Sequence, residues 1–226
     1  MKNTRSNRLA KKFTSVYKKN RFNGSQSLSG NGSDFDQTET LRLRLPKLIE
    51  SLKIRTFLDI PCGDLFWMSK VDLRNVSYIG ADIVSDLIKV NTQNYGSGSK
   101  SFVELDLSSE VPMKVDLIFS RDLFVHLSTK DIKSALKNVS RSDSTYLAMT
   151  TFASDHEYKN LPKFTRGVGW RPINFESDPW NFPEPLYLIN ENCTEGNGLW
   201  SDKSIAVWRI NDLPKITKRK TSWLFH

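Results

Sequence analysis

The sequence predicts an α/β fold built on a mostly parallel sheet. Three observations carry this. The run Phe57-Leu58-Asp59-Ile60 is short and apolar, and Pro61 and Gly63 close it with a turn, as in a buried parallel strand. Two further apolar runs also end in acids: Tyr78 to Ile83 contains Asp82, 23 residues after Asp59, and Ser101 to Leu107 contains Asp106, 24 residues later. Segments of helical periodicity separate these runs, and alternation of strand and helix implies parallel pairing.

The elements follow in order. Leu9, Phe13, Val16 and Tyr17 recur at helical spacing within a basic N-terminal extension, residues 1–22. Residues 23–33 are rich in Gly, Ser and Asn and read as a linker or as a loop approaching a ligand. A helix is expected over 38–52, with Thr38 as N-cap, one face of Leu41, Leu45, Leu48, Ile49 and Leu52, and a kink at Pro46. Strand one covers 57–60, and a helix should start at 66–70. Strand two spans 78–83, a helix 86–94, and strand three 101–107. Strand four spans 116–120. Ser128 caps the next helix with Asp131 three residues on, and strand five spans 145–152.

Residues 153–184 break the alternation with four prolines and the aromatics Trp170 and Trp180. A loop this long in a compact domain is usually functional, and it reads as a lid or wall of an acceptor site. The last two strands are expected at 186–190 and 204–210, leaving a basic tail, 211–226.

In an open α/β sheet, ligands bind beyond the carboxyl ends of the strands. Three strand ends bearing Asp59, Asp82 and Asp106 suit a nucleoside that carries hydroxyls or positive charge. Phosphate fits poorly, because the turn has one glycine and two acids, Asp59 and Asp64. An acid about 20 residues past the first turn commonly accepts from ribose hydroxyls.

The order Asp59-x-Pro61-x-Gly63-Asp64, then Gly80-Ala81-Asp82, Leu105-Asp106-Leu107 and Val115 to Ser120 resembles motifs I to IV of the class I S-adenosylmethionine-dependent methyltransferases. It covers about residues 25–210 and departs at motif I, where Pro61 and Leu65 replace glycines. The sequence is closer to a bacterial subgroup with Asp-x-Pro-Cys-Gly-Asp, linked to sugar and polysaccharide pathways. That likeness implies a Rossmann-like seven-stranded sheet, mostly parallel with an antiparallel edge strand, and helices on both faces. It implies a methyltransferase domain over 23–210 and S-adenosyl-L-methionine as cofactor. The implied cofactor contacts are Asp82 with Ile83 at the ribose and Asp106 with Leu107 at the adenine. Ser29, Gly30, Asp59, Pro61, Gly63, Asp64 and Trp67 lie at the methionine end, with Ser120 and Arg121 after strand four. The acceptor is then a small molecule or glycan.

Positioning dominates methyl transfer, and a base assists a hydroxyl acceptor. His126 is the base candidate because histidine titrates near neutrality; Asp122 either orients it or takes the proton. Arg121 either binds an acceptor carboxylate or phosphate through its planar fork or pairs with Asp122; Trp170, Arg171, Asn181, Asn190, Glu195 and Lys203 are acceptor candidates, with loop packing as the competing role for each. No metal-ligand spacing is present, and Cys62 and Cys193 form no disulfide framework.

Net charge is +8, but residues 1–22 hold eight bases and no acid. Residues 215–226 hold four more bases, so the body between is −4. A mildly acidic body argues against a stable nucleic-acid complex. The basic ends suit weak contact with an anionic membrane surface or an acidic partner, or else a solvated tail. With no apolar leader or span, the expected location is cytoplasmic. Competing classes are a protein or nucleic-acid methyltransferase and a non-catalytic nucleoside-binding module. A dehydrogenase is disfavoured by the missing Gly-x-Gly-x-x-Gly.

Overall fold

The computed structural model describes residues 4–153 and 169–215. Seven strands form one sheet in the order β3-β2-β1-β4-β5-β7-β6. They are β1 (Thr56–Asp59), β2 (Ser77–Asp82), β3 (Lys100–Glu104), β4 (Leu117–Ser120), β5 (Tyr146–Phe152), β6 (Tyr187–Asn190) and β7 (Lys203–Arg209). The strands β1 to β5 pair in parallel. The reversed strand is β7, inserted between β5 and β6 and antiparallel to both. Strand order changes direction between β1 and β4, which places a crevice at their carboxyl ends.

Alternating strand residues feed two cores, as a pleated sheet covered on both faces requires. Phe57, Leu117, Phe119, Ala148 and Val207 point to one face. Their neighbours Leu58, Ile118, Leu147, Met149, Ala206 and Trp208 point to the other. Helix α2 (Phe35–Ser51) covers the first face with Leu41, Leu45, Leu48 and Ile49. Helix α4 (Thr129–Ser140) covers the second with Ile132, Ala135, Leu136 and Val139. Helix α3 (Ser85–Tyr95) packs beside β2 and β3.

Several elements differ from expectation. Helix α2 starts at Phe35, with Asp34 extended ahead of it, and Thr38 lies inside it, donating its hydroxyl to Asp34 O at 2.9 Å. Pro46 neither splits nor ends the helix. A helical proline costs about 3 kcal/mol, but four buried Leu and Ile side chains return roughly 1.5–3 kcal/mol each. The helix expected at 66–70 is a single 3-10 turn, Met68–Lys70. Gly63 and Leu65 both take positive φ, +54° and +60°, which breaks a helical start. Strand β3 ends at Glu104, because Asp106 O accepts from the amides of Ser109 and Glu110 and turns the chain. Ser128 caps α4 as expected, accepting from the Asp131 amide.

The described part of the expected acceptor lid is a core element instead. Ile173, Phe175, Trp180 and Phe182 are buried against Phe124 and Trp208. They share the second face of the sheet with α4. Residues 154–168 of that segment, and 216–226 of the basic tail, lie outside the described residues. Among the described residues, no helix is long and apolar enough to cross a membrane.

Candidate functional site

The tips of β1, β2 and β3 open onto one cavity with about 1200 Å³ of empty space, counted out to its open mouth. Asp59, Asp82 and Asp106 all line it and are all buried. Parallel register explains the convergence: Asp59 pairs with Gly80 of β2, and Asp82 pairs with Glu104 of β3, so the three acids sit at one edge of the sheet.

Asp82 reaches back to the first turn. Its carboxylate accepts from the Gly63 amide at 3.2 Å and from the Val84 amide at 2.9 Å. Burial pushes its pKa up to about 6, against these amide bonds. Burial pushes Asp59 up to about 7; the Tyr78 hydroxyl, donating at 2.6 Å, works against this and the Asp82 charge adds to it. Asp106 accepts from the hydroxyls of Ser108 and Ser109 at 2.7 and 2.9 Å.

The loop at 23–33 is held on this turn. Asp64 accepts from the Ser27 hydroxyl at 2.9 Å and the Leu28 amide at 2.7 Å. A Cβ on Gly63 would lie 2.3 Å from Ser29 Oγ. Gly63 thus allows both the turn and the close approach of the loop.

Beyond β4, Arg121 is buried in a charged cluster. It donates to Glu191 through Nη2 at 2.7 Å and through Nε at 3.2 Å, and to Gly32 O at 2.7 Å. Its guanidinium also lies over the Trp67 ring, 5.5 Å from the centroid. Burial opposes its charge, but Glu191 and Asp122 outweigh this and hold its pKa above the ordinary value. Lys203 donates to Asp122 at 2.7 Å. Burial works against ionisation of Asp122, yet Lys203 and Arg121 dominate and bring it to about 2. Asp122 is thus held between Lys203 and Arg121 as a member of the ion cluster.

His126 lines the same cavity, with Nδ1 2.7 Å from Gly169 O. A carbonyl only accepts, so Nδ1 carries the proton and neutral His126 keeps Nε2 as an acceptor. Burial lowers its pKa from the ordinary value, with Gly169 and Asp122 working against the shift. The neutral, basic form therefore prevails near pH 7.

Of the residues expected at the cofactor, Ser29, Asp59, Pro61, Gly63, Asp64, Trp67, Asp82, Ile83, Asp106, Leu107 and Arg121 line the cavity. Gly30 lies behind the loop against Phe22, and Ser120 is buried beneath the floor. Of the expected acceptor contacts, only Arg121 is in the lining. Trp170 packs on Phe152 and Trp200. Arg171 donates to Thr129 at 3.4 Å. Asn181 is exposed in a turn. Asn190 holds Ser201 O, and Glu195 lies against Gly32. Lys203 is buried under Asp122.

Sequence reasoning missed Glu191, which neutralises Arg121, and Tyr78, which serves Asp59. It also left open whether helix α1 (Thr4–Lys18) docks. The helix contributes Leu9, Phe13, Val16 and Tyr17 to the cavity, and its apolar spacing was the available signal.

No protein-family model matches the sequence, and no curated protein is significantly similar to it. Solved structures are similar in fold. Human N-acetylserotonin methyltransferase in complex with SAM superposes with TM-score 0.60 at 11% identity, over 88% of this chain and 58% of that one. A bacterial methyltransferase domain, CtHen1-CN, gives 0.55 at 12%, over 78% of this chain and 100% of that one. Magnesium protoporphyrin IX methyltransferase from Synechocystis with bound SAH gives 0.52 at 12%, over 77% and 85%. The chain has the Rossmann-like seven-stranded fold that these methyltransferases share.

Proposed function

We propose that this protein is an S-adenosylmethionine-dependent methyltransferase acting on a hydroxyl of a small molecule. One observation carries the reading: three buried carboxylates, two at the ends of β1 and β2 and one just past the end of β3, line one cavity beside a glycine turn. Solved structures of the same fold hold SAM or SAH.

The residues present fit that cofactor. Asp82 is a desolvated carboxylate with raised pKa, which donors from a ribose would stabilise. Asp106 would meet the adenine edge. Asp59 and the Gly63 turn would face the methionine end, where a buried anion suits a sulfonium. When bound, the cofactor supplies an electrophilic methyl group on a good leaving group. The protein then has to align the acceptor oxygen with it, which is worth roughly 7–11 kcal/mol. His126 Nε2 would take the hydroxyl proton, worth on the order of 10²–10⁴ in rate. Resemblance to the sugar-linked subgroup supports a sugar or polysaccharide precursor as the acceptor.

Calorimetry with S-adenosylhomocysteine tests the reading. Saturable binding at one site, competed by S-adenosylmethionine and not by NADH, is the expected result. Absence of binding by the folded, full-length chain would overturn it.

A further inference from the structure

We propose that the acceptor subsite takes a hydroxyl carried on a flat, apolar body, a phenol-type molecule, and that α1 builds the wall against which it lies. This rests on the methyl-transfer reading and narrows its acceptor. It departs from the sugar class that the sequence resemblance supports.

Carboxylates and the glycine turn line the cavity at the strand tips. The helix α1 adds Leu9, Phe13, Val16 and Tyr17 to the lining, with Phe22 following it. Two ion contacts show how α1 lies. Lys18 meets Asp86, at the start of α3, at 2.9 Å, and Lys12 is within electrostatic reach of Asp131 in α4. The helix therefore reaches from α4 to α3, with Lys12 near enough to His126 to act on its charge. The Phe22 ring stands 5.1 Å from the His126 imidazole, and Leu123 and Leu127 flank the same histidine in the lining.

Several polar side chains of the lining are already engaged: Asp59 by Tyr78, Asp64 by Ser27, Asp106 by Ser108 and Asp122 by Lys203 and Arg121. His126 offers one acceptor nitrogen. Tyr17 adds one phenolic group. A sugar brings several hydroxyls, and each one desolvated without a partner costs about 1–3 kcal/mol. A phenol brings one hydroxyl, which His126 can take, and a ring that matches Phe13, Tyr17 and Phe22. In the transfer, the acceptor oxygen forms a bond to the methyl carbon while the carbon–sulfur bond breaks. The electron pair of that bond stays on sulfur, giving a neutral thioether. The hydroxyl proton passes to His126 Nε2.

The test uses full-length protein with methyl-labelled S-adenosylmethionine and two panels, substituted phenols and nucleotide sugars with free hexoses. Labelled methyl ethers are expected from phenols, with kcat/KM at least about tenfold above any sugar, the scale of one aromatic contact. Phe13→Ala should raise the phenol KM about tenfold and leave the S-adenosylhomocysteine Kd within about twofold. Calorimetry on the wild type, loaded with S-adenosylhomocysteine, should show phenol binding without recourse to any variant. Preference for the sugar panel overturns the inference, as does a loaded enzyme that neither binds nor methylates phenols. Either result leaves the methyl-transfer reading standing. Failure to bind S-adenosylhomocysteine sinks that reading itself.

Discussion

Replacing Asp82 by alanine separates the proposed cofactor site from a merely structural role. The wild-type carboxylate, buried and raised to about 6, is ionised at pH 7.5. Raising an acid from 3.8 to about 6 corresponds to roughly 3 kcal/mol of unfavourable burial in the folded state. The sign follows from linkage: the penalty is absent below pH 4, grows as pH rises through about 6, and is complete above it. Alanine removes that penalty but strands the amides of Gly63 and Val84, at about 1–3 kcal/mol each. The two effects nearly cancel, so the apo melting temperature should shift by only a few degrees. Affinity has no such compensation. Two hydroxyl-to-carboxylate bonds at about 1.5–3 kcal/mol each make a loss of 100-fold or more a modest expectation. Calorimetry with S-adenosylhomocysteine, paired with a thermal melt, reads both quantities. Wild-type affinity should also fall as pH drops through about 6, and Asp82→Asn should bind weakly and lack that step. An unchanged Kd for Asp82→Ala, or a loss matched by collapse of the melt, would refute the assignment.

Three further outcomes are expected. His126→Gln should lower kcat by about 10²–10⁴ with little change in S-adenosylhomocysteine affinity, and wild-type kcat/KM should rise with pH through a value below 6.5, because burial lowers the imidazole pKa and only the neutral form accepts a proton. Glu191→Gln should cost about 3–5 kcal/mol in denaturant unfolding by leaving the Arg121–Lys203 pair of cations with one carboxylate. The charge-neutral double variant Glu191→Met with Lys203→Met should recover much of it, and strict additivity would count against the cluster. Gly63→Ala should weaken S-adenosylhomocysteine binding and raise proteolysis within residues 23–33, since the new Cβ would meet Ser29 Oγ at 2.3 Å with φ at +54°; limited proteolysis with and without ligand checks this.

The strands and their acids were legible in the sequence because each is local. An apolar run, an acid and a turn residue lie within a few positions, and parallel register then gathers Asp59, Asp82 and Asp106 without further instruction. The Ser128 cap was legible for the same reason. What was not legible depends on pairs far apart in the chain. Glu191 meets Arg121 across 70 positions, and Lys203 meets Asp122 across 81. The sequence offered Asp122, next in the chain, as a partner for Arg121, and the two do meet at 3.4 Å, but Lys203 read only as an acceptor contact or loop packing. Opposite charge buried beside both cations removes their availability to an acceptor.

The aromatic segment misled for a related reason. Pro and Trp in a long loop are as consistent with a ligand wall as with a core, and periodicity cannot separate the two. Packing does, because Phe175 and Trp180 share one buried core with α4 on a face of the sheet. The two corrections are linked. With the 169–184 segment committed to the core and Lys203 committed to Asp122, α1 and Phe22 become the described elements that carry apolar side chains into the cavity beside His126. A basic, amphipathic N-terminal helix whose apolar face has no partner in its own sequence neighbourhood thereby acquires one: the cavity. Its cations Arg8, Lys11 and Lys18 fall on the exposed side, and Leu9 and Val16 are buried on the other. Cutting residues 1–22 should therefore disturb acceptor turnover before it disturbs the fold, since α2, β1 and the two sheet cores are assembled without them.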